Sequence, residues 1–138
     1  MCEVEKELHL VNELSEIAKL PLLVGELASE FNFSEEQVFN FNLVLEEAVT
    51  NVVMYAYPEG KSGSIDLVAK CDGKSVMFVV SDSGKPFDPT LVPDADVTLP
   101  AEERRVGGLG IFLIRQIMDS VEYRRNGGMN VLVMSKKI

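Results

Sequence analysis

The longest helical pattern in the chain lies between residues 34 and 55, where the sequence reads SEEQVFNFNLVLEEAVTNVVMY. Ser34 and Gln37 have the spacing of a capping box. In this motif the serine oxygen accepts a hydrogen bond from an unpaired backbone amide of the first turn, and the glutamine side chain reaches back toward the start of the helix. Apolar residues then recur on one face: Val38, Phe41, Leu45, Ala48, Val49 and Val52. This stretch predicts a helix to about Tyr55, which ends before Pro58 because proline cannot continue it.

Two segments precede this helix. Charged and apolar residues alternate from Val4 to Val11, which predicts a half-buried strand. Between Ser15 and Phe31 the apolar positions recur at helical spacing, and Pro21 is expected in the first turn of that helix, where its missing amide costs least.

The segments after the helix are rich in strand signals. Two β-rich runs, Ser64 to Cys71 and Lys74 to Ser81, flank Asp72-Gly73, which predicts a hairpin whose two turn positions have positive φ. Residues 82–105 carry prolines at positions 86, 89, 93 and 100 and no periodicity, which is typical of a functional lid.

The last third of the chain predicts one helix and a second hairpin. Gly107-Gly108-Leu109-Gly110 opens the helix, and Val121 to Arg125 pairs with Met129 to Ser135 around Asn126-Gly127-Gly128. With hairpins dominating, the element order predicts an α+β fold: a two-layer α/β sandwich with a mixed or antiparallel sheet covered by helices on one face.

Composition narrows the function. The 138 residues are the size of one domain, so 1–138 is expected to form a single domain. A formal charge of −9 argues against direct nucleic-acid or anionic-membrane binding, because both require a cationic surface. No run of about 18 apolar residues is present, and we expect a soluble, cytoplasmic protein. A bound polyanion must therefore be held locally, by backbone donors, a metal ion or a few placed cations.

Three features are interpreted as unrelated to chemistry. Cys2 and Cys71 are too few for a disulfide framework, and one histidine, His9, cannot form a histidine-rich metal site. Gly60-Lys61-Ser62 resembles the end of a P-loop, but position 55 is Tyr where that motif requires glycine, and the segment follows a helix instead of a strand.

The long helix carries a first candidate site. Glu47 and Asn51 are four residues apart, so their side chains lie on one face. The amide oxygen of Asn51 is a neutral ligand suited to Mg²⁺, and Glu47 can accept a proton or hold a ligand water. The alternative is a solvated polar stripe on the helix surface.

Two further candidates flank the irregular segment. Asp82 ends an apolar strand, where its carboxylate can accept from an exocyclic amine, and Gly84 lets a flat ring approach the backbone. The glycines before the next helix offer free amides to an anion, with Arg104 and Arg105 nearby. The alternatives are an ordinary Asp-Ser-Gly turn and a flexible loop that enters a helix.

Taken together, these motifs resemble a known family. Glu47-Ala48-Val49-Thr50-Asn51, Asp82-Ser83-Gly84-Lys85-Pro86-Phe87-Asp88-Pro89 and Gly107-Gly108-Leu109-Gly110-Ile111 resemble the N box and the two glycine boxes of the GHKL (Bergerat) ATPase superfamily. Within it, the Glu-Ala-Val-Thr-Asn string and the short length are similar to the anti-sigma-factor serine kinases of the RsbW and SpoIIAB type. The resemblance spans about Leu14 to the end of the chain.

The resemblance implies a role for each site residue. It implies that Asn51 ligates Mg²⁺ on the ATP phosphates, that Glu47 is the general base and that Asp82 accepts from the adenine amine. It also implies a lid at about residues 83–107, in which Arg104 or Arg105 reaches the γ-phosphate. The remaining cofactor-binding positions would be Gly84, Gly108, Gly110 and Asn130, the last standing where the family has a threonine.

The implied function is that of a serine/threonine protein kinase that acts as an anti-sigma factor. It would phosphorylate an anti-anti-sigma (STAS) protein and sequester a sigma factor when that protein is not available. The alternative is an ATP-binding partner-switch module without phosphotransfer. A detached histidine-kinase catalytic domain fits less well, because no dimerisation helix pair precedes the motifs.

A homodimer through the edge strand Val4 to Val11 is left open, because charged residues there can equally protect the edge.

Overall fold

The computed structural model of this chain describes residues 3–57, 61–91 and 108–138. Within these ranges the chain forms five strands and three α-helices, in the order β1 (Val4–Val11), α1 (Leu20–Phe31), α2 (Glu35–Asn51), β2 (Ser64–Cys71), β3 (Ser75–Asp82), α3 (Gly108–Ile117), β4 (Ser120–Asn126) and β5 (Met129–Lys137). Shorter turns of 3-10 helix occupy Leu14–Lys19 and Pro89–Leu91, and a π-helical turn occupies Val52–Ala56.

The strands form one sheet in the order β1-β2-β3-β5-β4. Each neighbouring pair is antiparallel, so the predicted mixed or antiparallel sheet is antiparallel in the part of the chain that the structure describes. The C-terminal strand β5 lies between β3 and β4, and β1 is at an edge.

The helices cover one face of this sheet. Along β2 and β3 every second side chain is buried, and these residues share one core with residues of all three helices. Phe41 of α2 meets Phe78 of β3 edge-on, with ring centroids 5.6 Å apart. The predicted α+β two-layer sandwich is therefore confirmed.

The first predicted helix has a different start from the one expected. The segment begins as a 3-10 turn at Leu14, and the α-helix proper starts at Leu20, with Pro21 in its first turn as predicted. The helix ends at Asn32, which has a left-handed backbone with φ of 56°. Asparagine tolerates that conformation better than most residues.

The start of α2 confirms the capping box. The Ser34 hydroxyl accepts from the Gln37 amide at 3.1 Å, and the Gln37 side-chain oxygen accepts from the Ser34 amide at 2.8 Å. The predicted end near Tyr55 is also close, but the chain changes from α to π geometry after Asn51. Such π turns occur frequently at functional sites.

The two hairpins use different turn chemistry. The prediction of positive φ at both Asp72 and Gly73 is wrong: only Gly73 has it, at 87°. The Asp72 carboxylate instead accepts from the amides of Lys74 and Ser75, each at 2.9 Å, so the side chain replaces a backbone acceptor in the turn. In the second hairpin Gly127 and Gly128 have φ of 58° and 81°, as a two-residue loop requires.

The cysteines, the histidine and the Gly60-Lys61-Ser62 segment are surface or core residues where the structure describes them, and Cys2 lies outside the described ranges. His9 is exposed on β1 and pairs with Asp66, while Cys71 is buried in the core. Lys61 and Ser62 are exposed, and Gly60 lies outside the described ranges. Among the helices that the structure describes, none has the length and apolar character needed to cross a bilayer.

Candidate functional site

A mainly apolar pocket lies between α2, the end of β3 and the β4–β5 hairpin. Three buried polar residues face it: Asn51, Asp82 and Asn130, which are 5 %, 2 % and 4 % exposed. Apolar and aromatic side chains form the remaining wall: Ala48, Val52, Val80, Phe87, Pro89, Tyr123 and Leu132. The structure therefore brings together three of the residues that the sequence singled out.

Asp82 is held by two donors on one oxygen. Its Oδ1 accepts from the Gly84 amide and from Nδ2 of Asn130, both at 2.9 Å. Burial raises the pKa of Asp82, while these two bonds and the positive charge of Arg125 act in the opposite direction. A buried carboxylate in an apolar pocket is an acceptor for a donor on a flat ring.

Gly84 is required by a contact with the protein itself. A Cβ at this position would lie 2.3 Å from the carbonyl oxygen of Ala56, the last residue of the π turn. The amide of the next residue, Lys85, donates to that same carbonyl at 2.7 Å. The turn after Asp82 therefore packs directly on the end of the helix that carries Glu47 and Asn51, and a side chain at Gly84 would prevent this.

Asn130 connects the pocket to the loop beyond Asp82. Its Nδ2 donates to Asp82 and to the Lys85 carbonyl oxygen at 2.8 Å. Its Oδ1 accepts from the Phe87 amide at 3.2 Å and from the Tyr123 hydroxyl. A single buried amide thereby links β5, β3 and the segment from Lys85 to Phe87.

Arg125 and Tyr123 belong to this network, and neither was predicted from the sequence. Nη1 of Arg125 donates to the Gly84 carbonyl oxygen at 2.8 Å and to Oδ1 of Asn130 at 3.2 Å. A signal was present in the sequence, because a two-residue loop at Gly127-Gly128 sets the hairpin register. That register pairs Arg125 with Asn130.

An aromatic pair lies beside the pocket, and one of its rings, that of Phe87, is part of the pocket wall. The rings of Tyr55 and Phe87 are stacked, with centroids 5.0 Å apart and 23° between their planes. Burial raises the pKa of the Tyr55 hydroxyl. The π turn thus contributes both Ala56, which anchors the loop, and Tyr55, which packs on it.

Glu47 lies against the start of α3. A Cβ on Gly110 would be 2.7 Å from Oε2 of Glu47, so an alanine there would force the carboxylate to move. Burial is the larger cause that raises the pKa of Glu47, and the neighbouring charge of Glu46 raises it further. The fold therefore places a partly desolvated carboxylate next to the glycine motif that the sequence identified.

The chemistry of Asn51 fits one position in a Mg²⁺ shell. It is a buried polar residue on the pocket wall, and the described ranges contain no cluster of three His, Cys, Asp or Glu residues. Mg²⁺ commonly takes few protein ligands and completes its shell with phosphate oxygens and water. A single amide oxygen on the wall of a nucleotide pocket would suit that pattern.

The remaining predicted residues are only partly described. Gly108 is the first residue of α3 and Gly110 is its third. Arg104 and Arg105 lie outside the described residues, as does most of the predicted lid at 83–107. The first part of that segment, up to Leu91, is described and includes the turn that packs on Ala56.

An apolar pocket with a buried carboxylate, next to a helix that carries Glu47 and Asn51, is the kind of site expected of a nucleotide-binding domain. The family model for the histidine kinase-like ATPase domain matches residues 10–136. The chain therefore belongs to that family, which implies that it binds ATP.

Several curated relatives of this chain carry the name serine-protein kinase RsbW. The chain is 32 % identical to the serine-protein kinase RsbW of Halalkalibacterium halodurans, over 83 % of this chain and 72 % of that protein. It is 29 % identical to the serine-protein kinase RsbW of Oceanobacillus iheyensis, over 98 % of this chain and 86 % of that protein. It is 28 % identical to the Bacillus cereus protein of the same name, over 92 % of this chain and 81 % of that protein. The family resemblance found in the motifs is confirmed.

Proposed function

We propose that this chain is an ATP-dependent serine/threonine protein kinase that acts as a cytoplasmic anti-sigma factor. Its phosphate acceptor is a serine or threonine of an anti-anti-sigma (STAS) protein, and it sequesters a sigma factor when that protein is not available. The family and the names of the relatives support the kinase class.

The observation that carries the proposal is the position of Glu47. Its carboxylate is partly desolvated and lies against Gly110 at the start of α3, one helical turn before Asn51. A domain that only holds a nucleotide needs no carboxylate there. A general base is more effective as its pKa approaches the working pH, so the raised pKa of Glu47 suits proton removal.

In the proposed reaction, the acceptor hydroxyl oxygen attacks the γ-phosphorus and Glu47 takes its proton. The bond between the γ-phosphorus and the bridging oxygen breaks, and ADP leaves. Bound Mg²⁺ would neutralise charge on the phosphates, with the side-chain oxygen of Asn51 as its protein ligand. Amides of Gly108 and Gly110, and Arg104 or Arg105, would stabilise the transferring group.

The test separates nucleotide binding from transfer. Mg²⁺-ATP at about 100 times its Kd should stabilise the wild type by about 2.7 kcal/mol, measured by thermal shift and calorimetry. Asn51→Ala should lose this stabilisation, whereas Glu47→Ala should keep it. In a phosphotransfer assay with a STAS protein, Glu47→Ala should be slower by about 10²- to 10⁴-fold.

The matched control is Glu36→Ala, which removes an exposed carboxylate at the other end of the same helix and should change neither readout. If the wild type binds ATP but transfers no phosphate, the kinase proposal fails, and the partner-switch module without phosphotransfer would replace it. If Glu47→Ala transfers as fast as wild type, the assignment of Glu47 as the general base fails.

A further inference from the structure

We propose that Asn130 and Arg125 are positioning residues, which hold Asp82 and the loop from Gly84 to Phe87 so that the pocket selects a base with an exocyclic amine. In this proposal neither residue donates a hydrogen bond to the base. The inference rests on the proposed function, because it concerns how the same nucleotide site chooses its ligand.

The hydrogen-bonding capacity of Asn130 is already used within the protein. A carboxamide has two N–H donors, and in Asn130 both are taken, by Asp82 and by the Lys85 carbonyl oxygen. Its Oδ1 accepts from the Phe87 amide, the Tyr123 hydroxyl and Arg125. Asn130 thus has no donor left for a ligand, and its acceptor is fully occupied.

The hydrogen bond from Asn130 determines how the carboxylate of Asp82 is oriented. The two donors from Gly84 and Asn130 both bind Oδ1, which fixes the rotation of the carboxylate and directs Oδ2 to another partner. An amine on the base can donate to Oδ2, whereas a ring that carries hydrogen or a carbonyl oxygen at that place cannot. Because the surrounding wall is mainly apolar, a mismatch leaves a buried carboxylate oxygen without a donor, which is costly.

Arg125 acts one step further from the pocket. Its guanidinium joins the Gly84 carbonyl oxygen to Oδ1 of Asn130, and its charge favours the ionised form of Asp82. The residue itself is exposed. It therefore stabilises the loop and the acceptor state of Asp82 from outside, without forming part of the wall.

The neighbouring arginine supplies a matched control. Arg124 is next to Arg125 on β4, but successive side chains of a strand point to opposite faces. Arg124 accordingly interacts with Glu122 at 3.3 Å on the other face of the sheet. Replacing either arginine removes the same charge from the same strand, and only Arg125→Ala removes the contacts to the loop.

The experiment compares ATP with purine riboside 5′-triphosphate, which has hydrogen in place of the amine. Calorimetry gives the Kd of each Mg²⁺ complex for wild type, Asn130→Ala, Arg125→Ala and Arg124→Ala. The wild type should prefer ATP by about tenfold or more, the effect of one hydrogen bond to a charged group. Asn130→Ala should reduce the preference to within about twofold of one, mainly by weakening ATP binding.

Arg125→Ala should lower the preference in the same direction, and Arg124→Ala should leave it unchanged. Because Arg125 is exposed, its variant decides the question if Asn130→Ala does not fold. The inference is overturned if both variants keep the wild-type preference, if both nucleotides weaken equally, or if Arg124→Ala has the effect of Arg125→Ala.

Failure of the underlying function has a different signature. A wild type that binds neither nucleotide overturns the proposed kinase together with this inference. A wild type that binds both nucleotides equally overturns only the inference, because the phosphate site and Glu47 do not depend on the amine.

Discussion

Two glycines within helices have opposite surroundings. Gly25 in α1 has nothing within 4 Å of the place where a Cβ would be, whereas a Cβ on Gly110 in α3 would be 2.7 Å from Oε2 of Glu47. The atom that must move in the second case is the end of a flexible side chain, so the cost in folding free energy is small. The displacement of the proposed base is the larger effect.

We therefore expect Gly110→Ala to fold with a free energy of unfolding within about 1 kcal/mol of wild type. Its phosphotransfer rate should fall by up to about 10²-fold, because a base misplaced by 1 Å can cost that much. Gly25→Ala, the control, should raise the free energy of unfolding by about 0.5–1 kcal/mol and keep the activity. Urea unfolding and the transfer assay measure both; equal activity of the two variants would contradict the proposed role of Glu47.

The raised pKa of Glu47 also predicts how stability depends on pH. Between the ordinary value of 4.5 and the raised pKa, the folded protein binds more protons at Glu47 than the unfolded chain does. Stability contributed by this residue therefore decreases as pH rises through that window. Glu47→Gln does not titrate there, so it should gain stability relative to wild type as pH rises, and the gain should vanish below 4.5.

The raised pKa of Glu47 also predicts how the phosphotransfer rate changes with pH on the acid side. Transfer requires the carboxylate form, so the rate should rise with pH around a midpoint above 4.5. Glu46→Gln removes the second cause of the shift and should move the midpoint to lower pH. Glu36→Gln, at the far end of the same helix, should leave the midpoint in place. A midpoint that moves equally in both variants would contradict the assignment to Glu47.

Individual residues of the pocket were predictable where a local signal existed. Asp82 was identified because it ends an apolar strand, and Asn51 because it lies one turn after Glu47. Arg125 and Tyr123 were missed although the Gly127-Gly128 loop sets the hairpin register, because their role arises only from pairing with β5. That both side-chain donors of Asn130 are used within the protein also became clear only when its partners at Asp82 and Lys85 were known.

The stability of α2 depends on its first turn. Ser34→Ala removes the acceptor for the Gln37 amide and should lower the free energy of unfolding by about 0.5–2 kcal/mol. Ser34→Asp retains an acceptor at the helix start and should remain close to wild type. Both are measured by urea unfolding, and Mg²⁺-ATP binding should be unaffected. An equal loss in both variants would show that the cap hydrogen bond is not the cause.

Most helices and strands could be predicted from the periodicity of apolar residues, whereas the geometry of individual turns could not. The alternation of β2 and β3 and the helical spacing of α1 and α2 were read directly from the apolar positions. The change to a π turn at Val52 left no mark in that spacing. The turn at Asp72 differed from expectation because its side chain accepts from two amides, an option that competes with the glycine-type turn.

At the scale of the whole molecule, the two-layer sandwich was predictable and the strand order was not. Strand β1 is an edge, with Glu5 and Glu7 exposed and Lys6 tied to Glu26 and Glu30 of α1 at 3.5 and 3.0 Å. Lys6 therefore points toward the helix layer and is paired there. A homodimer through β1, and the extension of one domain over all of 1–138, stay predictions.

The C-terminal strand β5 lies inside the sheet, between β3 and β4, and this affects how the protein folds. β3 pairs with β5 although about 50 residues separate them in the chain, and such non-local pairing forms late and slowly. The walls of the pocket come from α2, the end of β3 and the last hairpin. A nascent chain that has not yet added β5 therefore lacks part of the proposed base pocket, so nucleotide bound there would stabilise only molecules that have completed the sheet.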